Sequence, residues 1–368
     1  MMSQYMCHDA ERIVGQLLVG FLIVAMIWRC SVLILQSAWR KRSSHASPQQ
    51  AGAQQHENLA INFDWATTEP KKLRPFKPVY HITMAIENNS LSELIFMDKN
   101  YLSRINLRRQ LMESHQKTVY GCLSTGREAV HELYAFLMGE YLPGHYPSMF
   151  RLTDSRKMLE NTVTGRSFPV SPYEDGEECL RVLGQTVEED MFLLHKTPEG
   201  HFTDAFVCCF PSGFNPSEKL GKLLKDVHGP VPSYEKIGAS MERYFSKLEV
   251  GKSVKRNNWS IQTHPELFDS GCDATVANVG SYRGEGFRIE ETYFRSELQA
   301  LTRLPKTGSV LFSFKTYMYP ISDIKEEGLG PELADAMEGL RKGNAPGMWR
   351  YKGAERWADK LCSYLRSP

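Results

Sequence analysis

The feature that most limits the fold of this chain is an apolar segment near its N-terminus. Residues 13–36 read IVGQLLVGFLIVAMIWRCSVLILQ and contain a single charge, Arg29. At a rise of about 1.5 Å per residue, a helix over this segment spans the hydrocarbon core of a bilayer. A cleaved signal peptide is the alternative, but its apolar core is shorter and it starts with a basic region. The segment therefore predicts a single transmembrane anchor.

The charges beside this segment predict its orientation. Asp9 and Glu11 precede it, and the basic run Arg40-Lys41-Arg42 follows it. Because basic residues collect on the cytoplasmic side of membrane spans, we expect the remainder of the chain in the cytosol. An internal membrane such as the endoplasmic reticulum fits this orientation. A reducing compartment also fits the 8 cysteines, which form no CxxC pair and predict neither a disulfide framework nor a zinc site.

The rest of the chain divides into a tail, a linker and one domain. Residues 1–12 precede the predicted anchor. Residues 37–72 are rich in Ser, Gln, Ala and Asn without periodicity, which is typical of a flexible linker. No second linker of this kind interrupts residues 73–368, so we expect one folded domain there. The chain has 44 Lys and Arg residues and 43 Asp and Glu residues, which gives a net charge of +1. This balance predicts no nucleic-acid partner.

Periodicity within residues 73–368 predicts a mixed α+β domain. Apolar spacings of three and four predict helices at 104–113, 128–141, 233–248, 331–341 and 353–365. Short runs rich in β-branched and aromatic residues predict strands at 191–194, 205–210, 254–261, 310–314 and 317–319. Since these elements do not alternate strictly, we expect a sheet with helices on one side. The fingerprints GxGxxG, GxxxxGK[ST], GxSxG and HExxH are absent from the sequence.

Residues 206–232, FVCCFPSGFNPSEKLGKLLKDVHGPVP, contain the first candidate for a cofactor ligand, His228. A helix is predicted to begin at Asn215-Pro216 and to end at Gly229-Pro230, directly after this histidine. Its apolar face consists of Leu220, Leu223, Leu224 and Val227. An imidazole at the end of such a helix suits a metal or haem iron. A histidine packed there for structure and favoured by the helix dipole is the alternative.

A second candidate is the sequence RSELQALTRLP at 295–305. Arg295, Glu297 and Gln299 are spaced by two, which aims all of them at one face if the segment is a strand. Leu298, Leu301 and Leu304 also fit a helix with a solvated polar face. The residues alone leave both interpretations open.

Several motifs occur in one order along the chain and together resemble a known family. They are RPFKPVYHITM at 74–84, DKNYLSRINLRRQL at 98–111, CFPSGFNPSEKLGKLLKDVHGPVP at 209–232, KRNNWSI at 255–261, RSELQALTRLP at 295–305 and LFSFKTYMYP at 311–320. Their order resembles the haem-dependent oxidative N-demethylase family, in the form of a membrane-anchored, fungal-type member. The resemblance covers residues 73–365. It implies a PAS-like antiparallel sheet with a b-type haem held against it by a helix.

The same resemblance implies an activity and its partners. Characterised relatives oxidise a small secondary amine with O₂ and electrons from NADPH, and they release formaldehyde and the demethylated amine. Those electrons come from separate flavin and iron–sulfur subunits, so we expect an external electron-donor protein here. A non-catalytic PAS-like haem sensor or carrier at a membrane is the second hypothesis, because PAS-like folds often serve sensing.

The resemblance also assigns roles to individual residues. It makes His228 the proximal iron ligand and Glu297 the distal acid/base that binds the substrate ammonium. Arg295 would neutralise a haem propionate or hold Glu297, and Gln299 would extend the hydrogen-bonded row. The remaining histidines that rival His228 as the ligand are His81, His131, His145, His201 and His264.

Four further residues are expected around the cofactor. Asn258, Trp259 and Tyr317 would line the pocket. Lys315 stands where the family commonly carries Arg, so it would keep a charged contact to a propionate without the bidentate geometry of a guanidinium. Leu298 likewise stands where the family commonly has Arg after the glutamate.

Overall fold

The computed structural model describes residues 63–271 and 287–368. The predicted tail, the predicted anchor at 13–36 and most of the predicted linker at 37–72 lie outside these ranges. Within them, no helix combines the length and apolar character needed to cross a membrane. The division into anchor, linker and domain stays a prediction. The last residues of the predicted linker contact the domain, because the ring of Phe63 lies 5.1 Å from that of Tyr146.

A large antiparallel sheet organises the described residues. The strands are β1 (Glu87–Asn89), β2 (Tyr120–Cys122), β3 (Phe150–Thr153), β4 (Met158–Asn161), β5 (Arg166–Pro169), β6 (Asp190–Thr197), β7 (Gly200–Val207), β8 (Ser253–Gln262), β9 (Tyr293–Arg303) and β10 (Val310–Pro320). The large sheet has seven strands in the order β1-β8-β9-β10-β6-β7-β2, and β3-β4-β5 form a separate 3-stranded sheet. All strand pairings are antiparallel. The predicted α+β class is therefore confirmed.

The five helices predicted at 104–113, 128–141, 233–248, 331–341 and 353–365 are present to within a few residues, and the structure adds helices that the periodicity did not predict. The α-helices are Tyr101–Ser114, Gln116–Val119, Arg127–Phe136, Leu142–His145, Gly176–Gly184, Leu224–Val227, Gly238–Lys247, Ile321–Glu326, Gly330–Gly339, Met348–Tyr351 and Ala354–Arg366. A π-helical stretch, Leu137–Tyr141, follows the third of these. The 3₁₀ turns are Leu91–Glu93, Ser124–Gly126, Pro216–Lys219, Tyr234–Lys236 and Ile289–Glu291. The strands predicted at 310–314 and 317–319 are parts of one strand, β10.

The helix predicted from Asn215 to His228 is wrong as a single helix. A 3₁₀ turn ends at Lys219, and Gly221 has a φ of +75° that a helix cannot accommodate. The amide of Gly221 donates to the carbonyl of Thr203 in β7 at 2.9 Å. Because this stretch pairs with the sheet, only the turn Leu224–Val227, which ends at His228, is α-helical.

Both faces of the sheet are covered, so the expectation of helices on one side is wrong. We call the face that carries Leu301 the front face and the face that carries Leu298 the back face. On the front face, Tyr234 and the helix Gly238–Lys247 pack against Leu301 and neighbouring strands. On the back face, the helix Ala354–Arg366 packs against Leu298. Apolar residues alternate onto both faces of β9, and each face needs its own cover.

Candidate functional site

Glu297 lies at the centre of a polar cluster on the front face. In β9 it stands opposite Asn258 of β8, and opposed residues of an antiparallel pair share a face. Asn258 Nδ2 donates to Glu297 Oε2 at 3.3 Å, and Gln299 Nε2 donates to the same oxygen at 3.0 Å. Among the described residues, Glu297 Oε1 accepts no hydrogen bond. The strand interpretation of residues 295–299 is thus confirmed, and one carboxylate oxygen is left for a ligand.

Lys352 joins this cluster from the short helix that precedes Ala354. Its Nζ donates to Asn258 Oδ1 at 3.3 Å and to the carbonyl of Trp259. Burial lowers the pKa of Lys352 to about 8, although the Glu297 carboxylate opposes this shift. The amide of Asn258 therefore bridges a buried ammonium and a carboxylate.

Arg256 brings a second cation to the front face. It stands opposite Gln299, which lies two residues from Glu297 in β9 and therefore on the same face of the sheet. Its Nε is buried and has no hydrogen-bond partner among the described residues. Burial lowers the pKa of Arg256, while Tyr80 and Glu297 oppose this shift. Buried guanidinium nitrogens are normally paired, and no carboxylate of the described residues forms an ion pair with Arg256, so the position fits the carboxylate of a ligand.

His228 lies within electrostatic range of Arg256, and among the described residues its Nε2 has no hydrogen-bond partner. Its Nδ1 lies 2.9 Å from the Leu224 carbonyl, and its ring stacks on Tyr234 at 4.9 Å. Since a carbonyl only accepts, Nδ1 carries the proton and Nε2 keeps its lone pair. Burial lowers the pKa of His228, and the nearby charges of Arg256 and Lys219 lower it further. A neutral imidazole whose other nitrogen is fixed by a carbonyl is what an iron ligand requires.

Two rival histidines share part of this arrangement. His145 Nδ1 lies 2.9 Å from the Tyr141 carbonyl, and its ring stacks on Tyr141. His201 Nδ1 lies 2.6 Å from Glu242 Oε2, and its Nε2 is buried without a partner among the described residues. What separates His228 from both is its electrostatic contact with Arg256.

Arg295 lies on the front face but does not contact Glu297 directly. Its guanidinium donates to Gln262 Oε1 at 3.0 Å, to the Leu267 carbonyl at 3.1 Å and to the Phe210 carbonyl at 2.6 Å. These contacts tie β9 to the segments that follow β7 and β8. The structure thus places the Arg295 guanidinium on backbone and amide oxygens and leaves the role of holding Glu297 to Asn258 and Gln299.

The side chains of Trp259, Lys315 and Tyr317 lie on the back face of the sheet. Of these, the Trp259 ring also contacts the cluster, because Lys352 Nζ lies 5.3 Å from its centre. Trp259 stacks on Phe294 at 5.6 Å. Lys315 stands opposite Leu298, and Tyr317 stands opposite Ser296. Leu298 and Ser296 are the neighbours of Glu297 in β9, so their side chains point to the other face of the sheet. The structure therefore does not bring these predicted pocket residues together with His228.

Lys315 instead belongs to a buried ion cluster on the back face. Its Nζ lies 2.9 Å from both Asp98 Oδ2 and Glu188 Oε1. Burial opposes its charge, but the neighbouring carboxylates raise the pKa of Lys315 above its usual value. A cavity of about 470 Å³ opens beside this cluster and is also lined by Arg104 and Tyr317.

Sequence reasoning missed both cations of the front face. Arg256 has a local signal, because it lies two residues before Asn258 in the same strand and so shares its face. Lys352 has none, since it reaches the cluster from a segment far along the chain. A contact of this kind depends on the packing of the C-terminal helices rather than on strand periodicity.

The front face brings a neutral imidazole, a carboxylate and two cations onto one side of an α+β sheet. Among the described residues, no three His, Cys, Asp or Glu side chains converge to hold a metal ion by themselves. A haem would need only one such side chain, and His228 and Arg256 are the residues that would suit its iron and a propionate.

The family model described as haem-dependent oxidative N-demethylase, alpha subunit-like, matches residues 85–362. This range is most of the chain, and the chain belongs to that family. The resemblance of the sequence motifs to this family is thereby confirmed, while the membrane-anchored, fungal-type form stays a prediction. The family name supports haem as the cofactor.

Proposed function

We propose that the chain binds haem b on the front face and oxidises the N-methyl group of an amine. The observation that carries this proposal is a neutral His228 near Arg256, where the described residues leave both His228 Nε2 and Arg256 Nε without a hydrogen-bond partner. His228 would hold the iron, and Arg256 would bind a propionate through charge-assisted hydrogen bonds. Bound haem supplies the oxidation chemistry, while the chain supplies binding, orientation and proton transfer. That the antiparallel sheet has a PAS-like fold is also part of this proposal.

Glu297 is the residue that we assign to the substrate amine. Asn258 and Gln299 both donate to Oε2, which fixes the carboxylate and turns Oε1 toward a ligand. A protonated amine donates to such an oxygen, and Glu297 then takes the proton when the amine must be neutral. The reaction consumes O₂, two electrons and two protons for each N-methyl group, and it yields formaldehyde, water and the demethylated amine.

The electrons come from a second protein in this proposal. The sequence contains neither a GxGxxG nor a GxxxxGK[ST] fingerprint, so NADPH would act through a partner reductase. The predicted anchor at 13–36 would hold the domain at the cytosolic side of an internal membrane, where a membrane-associated donor meets it.

The absorption spectrum of the full chain tests the ligand assignment. We expect a Soret band in the wild type and loss or a marked shift of that band in His228→Ala. His145→Ala is a matched control, because His145 also has Nδ1 on a carbonyl four residues back and a ring stacked on tyrosine. If His201→Ala lost the Soret band and His228→Ala kept it, His201 would be the iron ligand instead of His228.

Formaldehyde release tests the enzymatic role. With NADPH, a reductase and a methylated amine, we expect Glu297→Gln to keep the haem spectrum and to lose about 100-fold or more in turnover. Haem binding without formaldehyde from any methylated amine would instead support the sensor or carrier hypothesis.

A further inference from the structure

Three cations of the described residues surround the Glu297 carboxylate. Arg256, Arg295 and Lys352 all lie within electrostatic range of this carboxylate. Arg295 is occupied by oxygens of the chain, and Arg256 is assigned above to a propionate. Lys352 is the cation that remains without an anion of its own.

The ammonium of Lys352 also has an unused donor. It carries three N–H groups, and the oxygens of the described residues accept from it only at Asn258 Oδ1 and the Trp259 carbonyl. Its Nζ also lies over the Trp259 ring, 5.3 Å from the ring centre, but this contact supplies no carboxylate. No carboxylate of the described residues forms an ion pair with it. Burying a cation with a spare donor costs free energy unless a ligand supplies the missing acceptor.

We propose that the substrate amine also carries a carboxylate, as an N-methylated α-amino acid does, and that Lys352 binds this carboxylate. The inference rests on the proposed function for the role of Glu297. In this arrangement the substrate ammonium donates to Glu297 Oε1, and the spare N–H of Lys352 donates to the substrate carboxylate.

The spacing of the two charges supports this class of substrate. The single side-chain amide of Asn258 spans the gap, with its Oδ1 toward Lys352 and its Nδ2 toward Glu297. An α-amino acid separates its ammonium and carboxylate by one carbon, which is a similar span. A simple alkylamine would satisfy Glu297 and leave the Lys352 donor unpaired. Sites built to pair a polar group discriminate strongly against ligands that lack it.

Calorimetric titration of the full chain at pH 7 tests the inference with three probes. They are N-methylglycine, its carboxamide and dimethylamine. We expect N-methylglycine to bind about ten- to hundred-fold more tightly than the carboxamide, the range of one charge-assisted hydrogen bond. Lys352→Met should remove this preference, and Lys352→Arg should retain it. Lys360→Met is the control, because Lys360 Nζ also donates to a backbone carbonyl, that of Phe287, at 2.7 Å.

Two results would overturn the inference. One is N-methylglycine binding no more tightly than its carboxamide; the other is Lys352→Met weakening all three probes by the same factor. If Lys352→Met does not fold, the wild type and Lys352→Arg still decide through the carboxamide comparison. The Soret band of the same samples reports separately on the proposed function, so a missing band with a retained carboxylate preference rejects the haem assignment alone.

Discussion

Replacing Lys315 with methionine removes the cation from the buried ion cluster on the back face. Its side chain is 3% exposed and pairs with Asp98 and Glu188, which are 5% and 3% exposed. Its Nζ also donates to the Phe96 carbonyl at 2.7 Å. Removing one partner of a buried pair typically costs about 3–5 kcal/mol, because the remaining charge is left uncompensated. We therefore expect Lys315→Met to lower the free energy of unfolding by about that amount at pH 7.

Guanidinium titrations of the full chain measure this cost against a surface control. Arg366 forms ion pairs with Asp335 at 2.7 Å and with Glu338 at 2.9 Å, but its side chain is 40% exposed. Exposed pairs contribute about 0–1 kcal/mol, so Arg366→Met should cost no more than that. Burial raises the pKa of Glu188 and Lys315 opposes this shift, so without Lys315 the folded-state pKa of Glu188 rises further above its unfolded value. The deficit should therefore be smallest below about pH 4 and grow toward pH 7.

The same variant separates a structural role of Lys315 from the predicted contact with the cofactor. If Lys315→Met costs no more stability than Arg366→Met, the reasoning from the buried cluster is refuted. Loss of the Soret band from such a stable variant would support the contact with haem. An unstable variant that keeps its band below the unfolding transition supports the structural role.

Three further perturbations follow from the structure. Burial raises the pKa of Glu189 to about 7. The contribution of Glu189 to the free energy of unfolding therefore falls as the pH rises from about 4.5 to 7. Glu189→Gln should flatten that part of a pH–stability profile measured by denaturant titration. Arg295→Lys should lower the unfolding midpoint clearly, since one ammonium cannot replace the guanidinium contacts to Gln262 and to the carbonyls of Leu267 and Phe210. Gly221→Ala should cost about 1 kcal/mol in the same assay, because φ is +75° and the added Cβ meets no atom within 4 Å. A cost near zero would contradict the turn geometry.

The sequence predicted elements with strong periodicity and failed where tertiary pairing took over. The helix Ala354–Arg366 and strands β8 and β10 follow from local patterns. The segment after Asn215 has a helical apolar spacing, yet Gly221 pairs with Thr203 and interrupts the helix. Pairing with a strand distant in sequence satisfies backbone groups that a helix would otherwise satisfy, and a local pattern does not record that competition.

The sequence predicted only part of the candidate site, because the rest of the site also depends on tertiary packing. Glu297, Gln299 and Asn258 meet on one face, as the spacing of two requires. The cation at Lys352 comes from the C-terminal region and could not be placed without the packed helices. Lys352 changes the chemistry of the site, because a carboxylate with an ammonium nearby favours different ligands from a carboxylate alone.

Strand alternation explains why part of the predicted pocket does not assemble. Asn258 and Trp259 are neighbours in β8, so their side chains must point to opposite faces of the sheet. A pocket confined to one face cannot be lined by both side chains, although Lys352 contacts Asn258 Oδ1 at 3.3 Å and lies 5.3 Å from the centre of the Trp259 ring. The pairing of Lys315 with Leu298 likewise places Lys315 behind the sheet from Glu297. The same rule favours Arg256 over Lys315 as the partner of a propionate, because Arg256 shares its face with Asn258 and its Nε has no other partner among the described residues.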